Sequence, residues 1–292
     1  MPEPALPIAA ETLLPHKGRM CCIDSLAALR GTEAEATVIL RPGHALVGAD
    51  GRLDPCGFIE LAAQAAGTMY GAGGGGTPGL AMLVSIQKVV VHGDARTGDL
   101  LTIGVSALGE LEGMMSLAFA VKREGEPLAE GRLTVYVPGE SGGVEIRGVG
   151  GDAREGAFAP GGVPDSLAGC VRREAERGEG DVVTAVYSFP GTFPGFDGHF
   201  PGNPIVPGVV QIMIAARTAA LGVEARVCGV RRCKFLRPVL PLEEVLVETE
   251  TSAETPGDKG QCRARLFVGG EPCAEMTFVF VAGGEACGSG EG

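Results

Sequence analysis

Positive charge is scarce in this chain. Its 24 lysines and arginines face 36 aspartates and glutamates, a net charge of −12 over 292 residues. Nucleic-acid binding through bulk charge is therefore disfavoured. No apolar run is long enough to span a bilayer. The first residues, Met1 to Leu6, have neither a basic n-region nor an apolar h-region. No secretory signal is expected from them, and a cytoplasmic location is. The nine cysteines form no Cys-x-x-Cys pair, which argues against structural zinc and dithiol redox chemistry and for buried, reduced thiols. The glycine run Gly73 to Gly76 lacks the Lys-Ser/Thr that a phosphate loop adds. No metal or redox cofactor is expected.

What is present divides the chain in two. A glycine-rich stretch over 138–163 reads as a linker. Before it, a short helix ends near Pro15, and residues 20–41 alternate as two strands that turn at Arg30 to Thr32. An apolar helix runs from Leu53 to Tyr70, opened by Asp54 as N-cap and Pro55 in the first turn. Strands follow over Leu80–His92, Leu100–Leu108, Met114–Arg123 and Pro127–Val137. After the linker, Asp165 to Arg177 reads as a short amphipathic helix. The first layout then repeats: a strand at Val182–Phe189, a loop, an alanine-rich helix near 207–221, and strands near Ala225–Leu236, Val245–Thr251, Gln261–Val268 and Pro272–Val281. The expected division is 1–137 for the first unit, 138–180 for the linker, 181–283 for the second unit and 284–292 for a tail. The class is α+β, with diverged copies of one unit.

The loop of the second unit, Gly195 to Val210, organises the chain. It holds His199 in a run stiffened by Pro201, Pro204, Pro207 and Gly208. A histidine fixed in this way beside a helix N-terminus suits general-base chemistry next to a carbonyl. In the first unit, Glu60 lies mid-helix among Phe58, Ile59, Leu61, Ala62 and Ala63, and Gln64 stands four residues on, along the same face. Carboxyls in such apolar surroundings need a partner or a proton.

The His199-Phe-Pro loop, with its later Pro and Pro-Gly-Val, resembles the β-hydroxyacyl-acyl carrier protein dehydratases, a hot-dog-fold family. The resemblance implies two tandem hot-dog units, each an antiparallel sheet wrapped around a long helix, forming a pseudo-dimeric double hot dog. In the family the histidine takes the α-proton, and a carboxylate fourteen residues later, from the other copy of the fold, handles the β-hydroxyl. Here that later position is Met213, while Glu60-Leu-Ala-Ala-Gln64 matches the family's acid and its i+4 partner, and Leu46 stands where the first unit's histidine would be. Each unit thus lacks what the other keeps. One composite site, His199 with Glu60, is expected, and the opposite site near Leu46 and Met213 is expected to be dead. The first half looks like the acid-supplying arylpolyene-type dehydratase partner, and the second like its histidine-supplying partner. His16, in the Leu14-Pro-His lead-in, is given a packing role.

By this resemblance the substrate is a 3-hydroxyacyl thioester on the phosphopantetheine arm of an acyl carrier protein. Its product is a trans-2-enoyl thioester of fatty-acid, polyketide or arylpolyene synthesis. Gly208 N–H would bind the thioester oxygen, the Ile205 carbonyl would hold His199, and Pro207 and Val209 would complete the substrate contacts. Gln64 would orient Glu60 or the released water. A basic run at Arg226, Arg231, Arg232, Lys234 and Arg237 is the candidate carrier-protein docking patch. The rival readings are a thioesterase using Glu60 without His199, an enoyl-CoA hydratase, and a dead carrier-binding scaffold. A monomer and a homodimer are both compatible with the sequence.

Overall fold

A computed structural model of the chain describes residues 5–73, 82–137, 158, 161–178, 182–222, 225–251 and 259–282. Most of the expected linker, the end of the glycine run and the tail lie outside the described residues.

The strand that precedes the histidine loop or long helix in each unit, 33–39 in the first and 182–188 in the second, alternates buried and more exposed side chains, as a half-buried antiparallel sheet requires. In the first unit, β1 (Ile8–Ala9), the one-turn helix α1 (Ala10–Leu13), β2 (Ser25–Arg30) and β3 (Glu33–Ile39) lead to the long helix α2 (Gly57–Ala72). Then come β4 (Met82–Val91), β5 (Leu100–Leu111), β6 (Met114–Arg123) and β7 (Glu126–Tyr136). In the second unit, α3 (Val163–Ser166) precedes β8 (Val171–Arg177) and β9 (Val182–Ser188). The helix α4 (Gly208–Ala219) follows, then β10 (Ala225–Phe235), β11 (Glu244–Thr251), β12 (Gly260–Val268) and β13 (Glu271–Ala282).

The strands form a single thirteen-stranded sheet in the order β1-β2-β3-β5-β6-β7-β4-β10-β13-β12-β11-β9-β8. The run β3-β5-β6-β7-β4 is repeated by β9-β11-β12-β13-β10, and the copies meet where equivalent strands β4 and β10 pair antiparallel, Val90 opposite Gly229 and Ser85 opposite Lys234. This is the self-complementary contact of a twofold dimer, made here within one chain. The protein is a double hot dog of class α+β.

The two helices fill the curled sheet. α2 is buried on nearly every side and packs against β2, β3, β5, β6 and β7, while α4 packs against β9 to β13. A helix apolar all round belongs in a core, and here the helices also touch one another.

Three expectations are corrected. Asp54 does not cap α2 directly: its carboxylate accepts from the Cys56 N–H at 2.8 Å, and Cys56 is the N-cap residue. Pro55 and Cys56 form a turn first, which delays the helix to Gly57. The stretch 165–177 is helical only through a short turn ending at Cys170, and its remainder is the edge strand β8, paired with β9. Its charged residues suit an exposed edge, where they deter pairing with another chain. Among the cysteines of the described residues, seven are free, and burial pushes the thiols of Cys170 and Cys273 up to about 11, away from reactivity. Cys228 is disulfide-bonded instead. It packs with Val279 and Val281 in a small cluster apart from the main core.

Candidate active site

Two short segments from different units build the site, and each is fixed by backbone geometry. The histidine loop turns at Gly198, whose φ of +91° is open to glycine and strained for other residues. A Cβ there would lie 1.7 Å from the Lys17 carbonyl oxygen. The close approach is used: Lys17 N–H donates to the Gly198 carbonyl at 3.1 Å, and Met20 N–H donates to the Asp197 carbonyl at 3.0 Å. Arg19 pairs with Asp197 at 3.2 Å. The lead-in of the first unit thus clasps the loop of the second.

His199 is buried. Its Nδ1 lies 3.1 Å from the Ile205 carbonyl oxygen, the partner expected from the sequence. That contact requires a proton on Nδ1 and leaves Nε2 with a free lone pair, the form a general base needs. Burial is the main cause that holds the imidazole below its ordinary pKa, with Glu60 and the Ile205 carbonyl pulling the other way.

Glu60 is only 4% exposed. Gln64 Nε2 donates to Glu60 Oε1 at 2.9 Å and to the Met20 carbonyl at 2.8 Å, and Gln64 Oε1 accepts from Cys22 N–H at 2.8 Å. The i,i+4 bond was readable from spacing; the anchoring of Gln64 to the lead-in was not. His16, assigned to packing, stands in the site itself. Its Nε2 is 3.7 Å from Glu60 Oε1, and its ring centroid is 5.2 Å from that of His199. His16, Glu60 and His199 bring polar atoms within 4.8 Å of one another. Among the described residues they are the one cluster close enough to hold a cation, and the same closeness suits proton transfer.

A cavity of about 320 Å³ opens on this trio. Glu60, Ala63, Gly67 and Tyr70 follow one face of α2 along its wall, and Met82, Met114, Met115, Val135 and Tyr136 face them from the sheet. At 1.5 Å per residue, that helix face gives a channel of about 15 Å, apolar beyond Glu60. Gly208, the first residue of α4, also lines it, and a Cβ there would meet the Phe235 ring at 2.9 Å. Its N–H belongs to the first helical turn, which has no intrahelical acceptor.

The remaining site residues divide. Ile205 lines the cavity, but Pro207 and Val209 do not. Pro207 is the N-cap residue of α4, and Val209 is turned by the helix into the core, fully buried. Val206 and Gln211 take their places on the wall. Arg231, Arg232 and Lys234 are exposed on β10, whereas Arg237 lines the cavity and pairs with Glu243 at 2.6 Å. Arg226 leaves the basic patch: it is buried and paired with Asp94 at 2.6 Å. On the opposite side, Leu46 is fully buried, and Met213 lines a second cavity of about 430 Å³ in which no histidine takes part.

Residues 8–144 match the family model described as ApeP dehydratase, and residues 174–265 match that of ApeI dehydratase. The chain is therefore a fusion of an ApeP-like and an ApeI-like domain. It is 32% identical over 122 residues to the 3-hydroxyacyl-[acyl-carrier-protein] dehydratase FabZ of Desulforamulus reducens, covering 39% of this chain and 85% of that protein. Among solved structures, a putative oleoyl thioesterase from Lactobacillus plantarum aligns over 87% of this chain and 97% of its own, with a TM-score of 0.57 and 13% identity. The dehydratase domain of RzxB from Pseudomonas fluorescens aligns over 87% and 97%, with a TM-score of 0.51 and 14% identity. At such identities these two share the fold.

Proposed function

Because this chain belongs to the FabZ-type 3-hydroxyacyl-[acyl-carrier-protein] dehydratases, a family of hydro-lyases, we propose that it dehydrates a 3-hydroxyacyl thioester at one composite site. The observation that carries this reading is the approach of Glu60 from one unit to His199 from the other, within 4.8 Å and at the wall of an apolar channel.

The thioester oxygen binds at the Gly208 N–H, where the helix start favours the charge that develops on an enolate. His199 takes the C2 proton through Nε2. Glu60 gives its proton to the C3 hydroxyl, and the C3–O bond breaks to release water. The product is a trans-2-enoyl thioester. Gln64 holds the carboxyl in place. The acyl chain runs along the Ala63, Gly67 and Tyr70 face.

The substrate arrives on an acyl carrier protein. Arg231, Arg232 and Lys234 stand exposed beside Phe235 and Leu236, which line the cavity, and are proposed to receive an acidic carrier. Arg237, tied to Glu243, also lines the cavity. The step belongs to fatty-acid, polyketide or arylpolyene assembly, and the ApeP-like and ApeI-like halves support the last.

The test is incubation with a 3-hydroxyacyl carrier protein, followed by intact mass. Loss of one water with the thioester retained is expected. Release of free acid would mean a thioesterase, and an unchanged mass a binding scaffold.

The pH dependence follows from His199. A base works unprotonated, so a lowered pKa keeps it competent to lower pH, and activity falls only as pH drops through the lowered value. The acid limb of kcat/KM is expected below about 6.5, the ordinary imidazole value. An acid limb at or above that value would remove His199 from the role.

A further inference from the structure

We infer that His16 is the third working member of the site, a positioning residue that holds the Glu60 carboxyl in both of its protonation states. The inference rests on the dehydratase reading above and adds a residue to it.

Packing alone does not account for this side chain. His16 is buried against the rings of His199 and Phe200, at centroid distances of 5.2 and 4.7 Å. Its Nδ1 is buried with no hydrogen-bond partner. An orphaned buried polar atom is destabilising, and a phenylalanine or leucine would fill the same space without that cost. Such an exception calls for a functional reason.

Its position supplies one. The lead-in that carries His16 is bonded on one side to Gln64 of α2 and on the other to the carbonyls of Asp197 and Gly198. His16 therefore sits at the junction of the acid's helix and the base's loop. Gln64 and His16 both approach Glu60 on Oε1. Oε2 is left for the substrate hydroxyl.

The orphaned Nδ1 has a further meaning. The tautomer of His199 is set by the Ile205 carbonyl, and that of His16 by Glu60: the unpartnered Nδ1 keeps its lone pair and the proton sits on Nε2, towards Oε1. Burial, His199 and Lys17 hold His16 well below its ordinary pKa, so it is neutral. A neutral imidazole protonated at Nε2 can donate to Oε1 before turnover, when the acid proton sits on Oε2 towards the substrate hydroxyl, and after it, when Oε1 belongs to the carboxylate. The present 3.7 Å is longer than a hydrogen bond, and such contacts tighten when substrate is bound.

Steady-state kinetics of His16→Phe and His16→Gln, with the 3-hydroxyacyl carrier protein as substrate and thermal melting alongside, test this. Phenylalanine fills the space without a ring nitrogen; glutamine places its amide nitrogen near Nε2. Expected is a fall in kcat of about 10-fold or more for His16→Phe with KM within about twofold, and partial recovery of kcat in His16→Gln. Unchanged kcat in His16→Phe, a rise confined to KM, or equal losses in both variants would overturn the role. A wild-type enzyme that removes no water would instead fail the dehydratase reading itself, a separate and distinguishable result.

Discussion

Mixing a Glu60→Gln enzyme with a His199→Ala enzyme is expected to restore no turnover. Each variant alone should lose about 10²–10⁴-fold in kcat, the usual contribution of a positioned acid or base. In a symmetric dehydratase dimer every site borrows across the interface, so mixed inactive subunits can regain an intact pair. In the proposed mechanism Glu60 and His199 act from one polypeptide, whose units are joined by the β4–β10 pairing and by the clasp of Lys17 and Met20 on the histidine loop. The positions equivalent to His199 and Glu60 on the opposite side carry Leu46 and Met213. Dehydration assays on the separate variants, on the mixture, and on the mixture after joint unfolding and refolding decide the matter. Recovery in either mixture would mean that units exchange between chains and that the composite site is not confined to one molecule.

The other large effect is expected at Gly198, which touches no substrate. Gly198→Ala places a methyl group 1.7 Å from the Lys17 carbonyl oxygen, at a φ of +91°. Neither partner is the end of a movable side chain: both are backbone, and both take part in the clasp. The loop and the lead-in must separate. A stability loss of about 3 kcal/mol or more is expected from incompatible backbone geometry combined with a buried clash. For a chain of this size that lowers Tm by roughly 6–12 °C. Activity should fall further than stability, by about 10²-fold in folded enzyme, because a displacement of about 1 Å at the base is enough for that. Calorimetry and kcat measured well below the new Tm separate the two effects. A variant with normal Tm and normal kcat would show that the contact between loop and lead-in is dispensable.

Much of this architecture could be read before any coordinates. β2 and β3 were marked by alternation and by the turn at Gly31, and α2 by its unbroken small and apolar residues between Pro55 and Gly73. Glu60 stood out because it was charged where everything around it was apolar. His199 stood out because prolines and a glycine fixed its surroundings. β8 was misread because an edge strand, exposed on both faces, carries charges in an order that also fits an amphipathic helix. Asp54 was misplaced by two residues, since capping of a turn and capping of a helix use the same side chains. Val209 was read as a contact because it is adjacent to Gly208 in sequence, yet one helical step sends it into the core. His16 was missed for a deeper reason. Its partners stand on α2 and on the second unit's loop, and no local pattern reports a contact made only when two distant segments fold together. The signal that was available was a histidine between Pro15 and Lys17 in a lead-in anchored by the buried Leu14.

The meeting of β4 with β10 carries a consequence for assembly. As separate polypeptides, each unit would present an unpaired strand edge with the same geometry, and nothing in the backbone ladder would tell one kind of unit from the other. Self-pairing would give a species with two acids and no base, or two bases and no acid. Tethering the units on one chain raises the effective concentration of the correct partner. The unproductive pairings are outcompeted by mass action, and the ratio of acid-bearing to base-bearing unit is fixed at one to one in every molecule synthesised.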